Sequence, residues 1–234
     1  MRSIADNICA MRQQIAGIAA NCGRDPDSVQ LLAVSKTRSA DELRQAIEAG
    51  LRAFGENYLQ EALDKVAALQ DQEIEWHFIG PIQSNKTRPI AEHFDWVHSV
   101  DRAKVARRLS EQRPPHLPPL NICLQVNISE EPSKSGCLPQ EVPTLAREIA
   151  VLPNLRLRGL MAIPAASDDP LEQRRPLAAL RQLLEQLQSE HPALDTLSMG
   201  MSNDMEAAIR EGATIVRIGT ALFGPRPTKQ KESP

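Results

Sequence analysis

Eight short apolar runs recur along the chain with helix-like stretches between them, and this rhythm restricts the fold more than any other feature. The runs are LLAVS (31–35), RAFG (52–55), EWHFIG (75–80), DWVHSV (95–100), NICLQVNI (121–128), LRLRGLMAI (155–163), LDTLSMG (194–200) and ATIVRIG (213–219). Several are apolar without alternation, which suits strands covered by helices outside and by a filled core inside. Strands that alternate with helices predict a parallel sheet. Eight units within roughly 200 residues predict an α/β fold of the (β/α)8 TIM-barrel type, at the low end of its size range. A doubly wound sheet is the competing arrangement, but eight near-equal units leave little to mark a crossing point.

The intervening segments carry helix signals. Ser39 and Glu42 have the spacing of a capping box, and Ala40, Leu43, Ala46 and Ile47 follow on one face until Gly50 ends the helix. Leu59, Leu63 and Val66 mark the next helix, and Leu177, Leu180, Leu183, Leu184 and Leu187 stripe a long later one. Asn203 with Glu206 offers a further cap. Ile4, Ile8, Met11, Ile15 and Ile18 repeat at helical spacing before the first strand, so an additional N-terminal helix is expected to cover the barrel's bottom or flank. The proline-rich stretch 112–120 reads as a stiff connector into the fifth strand. Residues 1–226 thus form one barrel domain, and 227–234 read as a flexible tail.

Composition narrows the function classes. The 234 residues are 41% hydrophobic and 24% charged with a formal net charge of −3, so no long-range field favours nucleic acid or an anionic membrane. Aromatic content of 3% offers no stacking platform for nucleic-acid bases. Asp6 interrupts the opening segment and no run is long enough to span a bilayer, which points to a cytoplasmic protein. Cys9, Cys22, Cys123 and Cys137 form no C-x-x-C pair, and the five histidines show no metal-ligand spacing, so neither disulfide nor metal is expected.

Barrel chemistry sits at the carboxyl ends of the strands. Lys36 follows the first strand, Asn57 the second and Asn127 the fifth; Ser202 follows the seventh, while Arg217, Gly219 and Thr220 close the eighth. Three roles are open to Lys36: a snorkelling surface lysine, a phosphate ligand, or an amine that condenses with an aldehyde. Its place after a continuously apolar strand, facing a rim of small residues, favours the third. Ser202, Gly219 and Thr220 make a plausible anion cup, although Ser202 with Asn203 can equally cap its own helix and Gly219 with Thr220 can be turn chemistry. An amine for an aldehyde opposite a cup for a phosphate describes pyridoxal 5′-phosphate. Arg217 then faces the pyridine nitrogen and keeps it unprotonated, or else forms an ion pair inside or below the barrel.

The motifs AVSKT, FGENYLQEALDK, WHFIGPIQSNK, VNIS with SKSGC, LRGLMAI, LSMGMSNDMEAAI and VRIGTALFG, in order from about residue 8 to 226, resemble the pyridoxal phosphate homeostasis protein family, relatives of the N-terminal barrel of alanine racemase. The resemblance implies a single-domain barrel that binds pyridoxal phosphate and has no well-established catalysis. It also implies that Lys36 forms the internal aldimine, that Ser202, Gly219 and Thr220 hold the phosphate, that Arg217 faces the ring nitrogen and that Asn57 lies beside the ring. His77, Gln83 and Asn85 carry no assigned role.

The expected function is that of a monomeric carrier in pyridoxal phosphate homeostasis, with apoenzymes that use this cofactor as partners. The alternative is a racemase-like enzyme. Racemisation needs a second acid or base opposite the lysine; no second domain is expected after residue 226, and the only tyrosine, Tyr58, suits packing on the helix after strand two. A Schiff-base aldolase would use a lysine without bound cofactor. Lys134, in a loop after strand five, is expected either as a solvated side chain or across the mouth, exchanging cofactor with Lys36.

Overall fold

The computed structural model describes residues 2–225, so the expected flexible tail, 227–234, lies outside the described residues. Eight parallel strands close into a barrel: β1 (Gln30–Val34), β2 (Ala53–Glu56), β3 (Glu75–Phe78), β4 (Trp96–Val100), β5 (Leu120–Gln125), β6 (Leu155–Met161), β7 (Thr196–Ser198) and β8 (Ile215–Ile218). Strand order follows the sequence around the barrel, which excludes the doubly wound alternative. Closure comes from the ladder that pairs Gln30 with Ile215, Leu31 with Val216, Leu32 with Arg217 and Ala33 with Ile218.

Helices α1 (Ile4–Asn21), α2 (Ala40–Glu48), α3 (Leu59–Ala68), α4 (Thr87–His93), α5 (Ala103–Gln112), α6 (Val142–Ala150), α7 (Pro170–Gln188), α8 (Met205–Arg210) and α9 (Thr220–Phe223) cover the strands. The Ser39–Glu42 capping box forms as expected, and Leu43, Ala46 and Ile47 are buried. Leu177, Leu180, Leu184 and Leu187 bury the stripe of α7, with Leu183 packed at its edge. The face of α3 differs from expectation: Ala62 and Lys65 are its buried centre, with Leu59 and Val66 at the margins. The additional helix α1, capped by Ser3 and Asp6, buries Ile8, Met11, Ile15 and Ala19. It lies against α2, α8 and α9 on the flank, and Asn7 Nδ2 donates to Leu222 O at 2.9 Å.

The core divides along the pleat of the strands. Residues facing outward, such as Leu31, Phe54, Trp76, Val97, Leu124 and Val216, join the helices in one large apolar shell. Among the described residues two small apolar clusters lie on the inward-facing side: Leu32, Ala53, Ile79 and Ile215 in one, and Trp96, Cys123 and Met161 in the other. The remaining interior is polar, with His77, His98, Ser198 and Arg217 all buried. This barrel is therefore not filled by the layers of branched aliphatic residues common in the fold.

Burial, then the neighbouring His77 and Arg217, holds His98 well below the ordinary histidine range, so it is neutral in the folded protein. Unfolding below about pH 6.5 must protonate it. The stability this contributes is complete above that pH and is lost as pH falls, by about 1.4 kcal/mol per pH unit. Urea unfolding of wild type and His98→Asn across this range should show the wild-type slope steeper by that amount. Equal slopes would contradict a buried neutral imidazole.

Candidate functional site

A recess of about 360 Å³ opens at the carboxyl ends of the strands, a size typical of small-molecule sites, which run from about 300 to 1,000 Å³. Lys36, Asn57, Ser202, Arg217, Gly219 and Thr220, separated by up to most of the chain, all line it. Half-buried Lys36 reaches this wall because β1 pairs directly with β8, the strand that carries Arg217 and leads into Gly219.

The backbone on both sides of Lys36 is gripped by one charged cluster. Lys65 Nζ donates to Ser35 O at 2.7 Å, to Glu56 Oε1 at 2.7 Å and to Glu61 Oε1 at 2.6 Å. Ser35 Oγ donates to the same Glu56 oxygen at 2.5 Å, and Thr37 N donates to Glu61 Oε1 at 2.5 Å. Thr37 has φ +64°, a left-handed conformation that β-branched residues rarely adopt and that persists only where its surroundings over-determine it. Burial pushes the Glu56 carboxyl up, while the Lys65 ammonium and the hydrogen bonds to it oppose that shift. The next residue, buried Arg38, donates to Phe223 O at 3.1 Å and to Gly224 O. Lys36 thus projects from a segment fixed on β2, α3 and α9.

Asn57 follows β2 directly, and its backbone lies so close to Gly80 that a Cβ at Gly80 would fall 2.1 Å from Asn57 O. Only glycine permits that approach. The Asn57 side-chain oxygen is buried with no hydrogen-bond partner among the described residues. Arg217 Nη1 donates to Ser198 O at 2.5 Å and Ser198 Oγ at 2.8 Å, and Nη2 donates to Ala162 O at 2.9 Å. Burial lowers this guanidinium to about 10, so it stays charged at neutral pH. No carboxylate pairs with it among these contacts; backbone and hydroxyl oxygens hold it instead.

The loop that carries Ser202 turns at Gly200, where φ is +97°, and Gly200 O accepts from Arg217 N at 2.9 Å. The cap expected from Asn203 and Glu206 does not form. Asp204 occupies the position before α8 without capping it, and its carboxylate turns back to accept from Met201 N at 2.6 Å. Ser202 is therefore exposed on the recess wall rather than engaged with its helix. Gln173 Nε2 bridges Ser167 O at 2.7 Å and Asn203 O at 3.3 Å, joining the loops after β6 and β7 above the recess.

Other expected residues fall elsewhere. Tyr58 is 55% exposed, so it serves neither packing nor the recess. Asn127 is buried and its Nδ2 donates to Glu131 O at 2.8 Å, shaping its own loop. Lys134 is not among the residues that line the recess; its Nζ donates at 3.1 Å to the O of Pro164, which does. Cys123 and Cys137 are pushed up to about 12 by burial and are unreactive thiols. Among the described residues no group of histidine, cysteine and carboxylate side chains could hold a metal ion.

Glu56 and Lys65 escaped the sequence reading, although a glutamate ending an apolar run and the i,i+4 spacing of Glu61 and Lys65 were there to be read. His77 and His98 also escaped it. Their placement between outward-facing neighbours, Trp76 with Phe78 and Val97 with Ser99, already assigns them to the barrel interior.

The donor set fits pyridoxal phosphate. The recess offers an amine, a guanidinium, the hydroxyls of Ser167, Ser202 and Thr220, and an unanswered buried acceptor at Asn57 that suits a ligand hydroxyl or protonated nitrogen. Comparison with known proteins agrees. Residues 7–227 match the family described as alanine racemase, N-terminal domain. The pyridoxal phosphate homeostasis protein of Pseudomonas aeruginosa is 64% identical over 226 residues, which cover 97% of each chain. That of Escherichia coli K12 is 51% identical over 234 residues, 99% of this chain and 100% of its own. PipY of Synechococcus elongatus PCC7942, solved with PLP bound, is 39% identical with a TM-score of 0.84 over 95% of this chain and 100% of its own. Alanine racemase of Corynebacterium glutamicum is 19% identical with a TM-score of 0.73, and the match covers 98% of this chain but 62% of the racemase; that likeness concerns the fold alone. With such identity over nearly its whole length, the chain belongs to the pyridoxal phosphate homeostasis protein family.

Proposed function

We propose that this protein holds pyridoxal 5′-phosphate in the recess at the barrel mouth and serves cofactor homeostasis as a carrier, without efficient catalysis. The observation that carries the reading is the convergence of the Lys36 amine, the Arg217 guanidinium and the unpartnered Asn57 oxygen on one recess. The names of the close relatives and the bound PLP of PipY support it. When bound, this cofactor supplies an aldehyde that condenses reversibly with an amine and a ring that withdraws electrons from carbon next to the resulting nitrogen.

Within the proposal, Lys36 provides the amine, and Ser202, Gly219 and Thr220 provide hydroxyl and backbone donors for the phosphate. Asn57 accepts from the substituents of the ring. Arg217, a cation held rigidly, faces the ring nitrogen and keeps it unprotonated, which weakens electron withdrawal compared with a carboxylate partner. Side chains able to move a proton from the face opposite Lys36 are scarce. Of the two acids on the recess wall, Asp204 is engaged with Met201 N, and Asp168 is exposed. Among the described residues no histidine, cysteine or tyrosine lines the recess. This favours a carrier over a racemase-like enzyme.

The same reading makes the protein a cytoplasmic monomer of one barrel domain, residues 1–226, that supplies apoenzymes using this cofactor. No helix among the described residues is long and apolar enough to cross a membrane.

The test is an absorbance spectrum with a substrate panel. The protein mixed with pyridoxal phosphate should acquire a reversible visible band that Lys36→Ala abolishes, and amino acids in deuterated water should show no Lys36-dependent exchange of the α-proton. Absence of the band sinks cofactor binding, and exchange at turnover rates would replace the carrier by an enzyme. The cluster around Lys36 gives a second expectation. Removing the charge of Lys65 leaves Glu56 buried without its cation, so Lys65→Met should lower unfolding free energy by about 3–5 kcal/mol. The double variant Lys65→Met with Glu56→Leu should recover part of that loss; a single variant as stable as wild type would show that the cluster does not hold the segment.

A further inference from the structure

A continuous chain of side-chain hydrogen bonds crosses the barrel interior from floor to mouth. Glu75 Oε1 lies 2.8 Å from His77 Nε2, His77 Nδ1 lies 2.9 Å from His98 Nε2, and His98 Nδ1 lies 2.7 Å from Ser198 Oγ. Arg217 Nη1 completes it, 2.8 Å from that hydroxyl. The four links join β3, β4, β7 and β8 and pass between the two small apolar clusters of the interior. His77 stacks on Trp96 with 5.5 Å between centroids and 6° between planes. The Arg158 guanidinium, held by Asp195 at 3.0 and 2.7 Å, also covers Trp96, 4.8 Å from its centroid. Packing therefore fixes the plane of the first imidazole.

The two ends of the chain determine the hydrogen positions between them. Glu75, held ionised at about 2 by its bond to His77, can only accept, and Arg217 can only donate. His77 therefore donates from Nε2, and as a neutral imidazole it offers the Nδ1 lone pair. His98, neutral by burial, must carry its proton on Nε2 and leave Nδ1 bare. Ser198 then donates its hydroxyl to His98 Nδ1 and accepts from Arg217. Every polar atom of the chain is satisfied in this direction. Reversing His98 would give Ser198 Oγ two donors and leave its own hydrogen without an acceptor in the chain, which a closed interior penalises.

We propose that Glu75, His77, His98 and Ser198 form a one-way hydrogen-bond chain of positioning residues that orients Arg217, so that the barrel floor sets how the guanidinium meets the cofactor ring nitrogen. The proposal rests on the reading of Arg217 given above. Among the described residues, two of the three hydrogen bonds that the Arg217 guanidinium donates go to backbone carbonyls; the Ser198 hydroxyl is the link through which the interior reaches it. Glu75 borders a second cavity of about 670 Å³ at the opposite end of the barrel, beside Arg12 and Arg52, so the lower end of the chain is open to change from outside.

Two measurements test this. Nitrogen-15 spectra of histidine-labelled protein without cofactor should show His77 and His98 both as Nε2–H tautomers. A His98 proton on Nδ1 would overturn the direction of the chain. In protein loaded with pyridoxal phosphate, Glu75→Leu and Ser198→Ala should each shift the visible absorption band and raise the Kd up to about tenfold. Glu75→Gln and Ser198→Thr, which keep the acceptor and the hydroxyl, should restore wild-type values. Unchanged spectra and affinity in both severed variants overturn the proposal while cofactor binding stands. A wild-type protein that takes up no pyridoxal phosphate overturns the parent reading and this one with it.

Discussion

The ladder between the first and last strands is the constraint on which the rest depends. Four register pairs, from Gln30 with Ile215 to Ala33 with Ile218, convert an open sheet into a barrel. They also bring together an amine and a guanidinium that lie far apart in sequence. The closure is reinforced where it ends: Arg38 reaches Phe223 O across 185 residues, and Asn7 reaches Leu222 O across 215. Contacts of such separation cost loop entropy before they return any stabilisation. The apolar shell between strands and helices is what offsets that cost, because most of the buried hydrophobic residues lie there rather than inside the barrel.

That division leaves the interior available for polar chemistry. Outside β1 and β2, the Lys65, Glu56 and Glu61 cluster fixes the segment that bears Lys36. Inside, the imidazoles and Ser198 reach Arg217 from below. The two devices act on different residues of the same recess, one through backbone and one through a side chain. A rigid amine and a rigid cation suit the retention of a ligand by preorganisation.

Much of this was legible in the chain. Apolar runs at near-even spacing gave the barrel, because strand-helix units that must each bury a face have few closed solutions. Strand ends gave six of the residues that line the recess, since a barrel of this kind gathers those positions at one mouth, while Asn127 at the end of β5 turns into its own loop. Three features were not legible. The position before α8 falls to Asp204 instead of Asn203, and it makes no cap, because the loop turns at Gly200 and the carboxylate folds back onto Met201 N. Lys134 followed loop geometry that no periodicity encodes. Alternation within β3 and β4 places His77 and His98 inside the barrel, but what they bond to depends on the pairing of strands distant in sequence, which single-strand patterns cannot give.

Borohydride reduction of protein loaded with pyridoxal phosphate, followed by peptide mass mapping, tests the central claim most directly. The account predicts one reduced adduct, on Lys36. An adduct on Lys134 or another lysine with Lys36 unmodified, or no adduct at all, would contradict it.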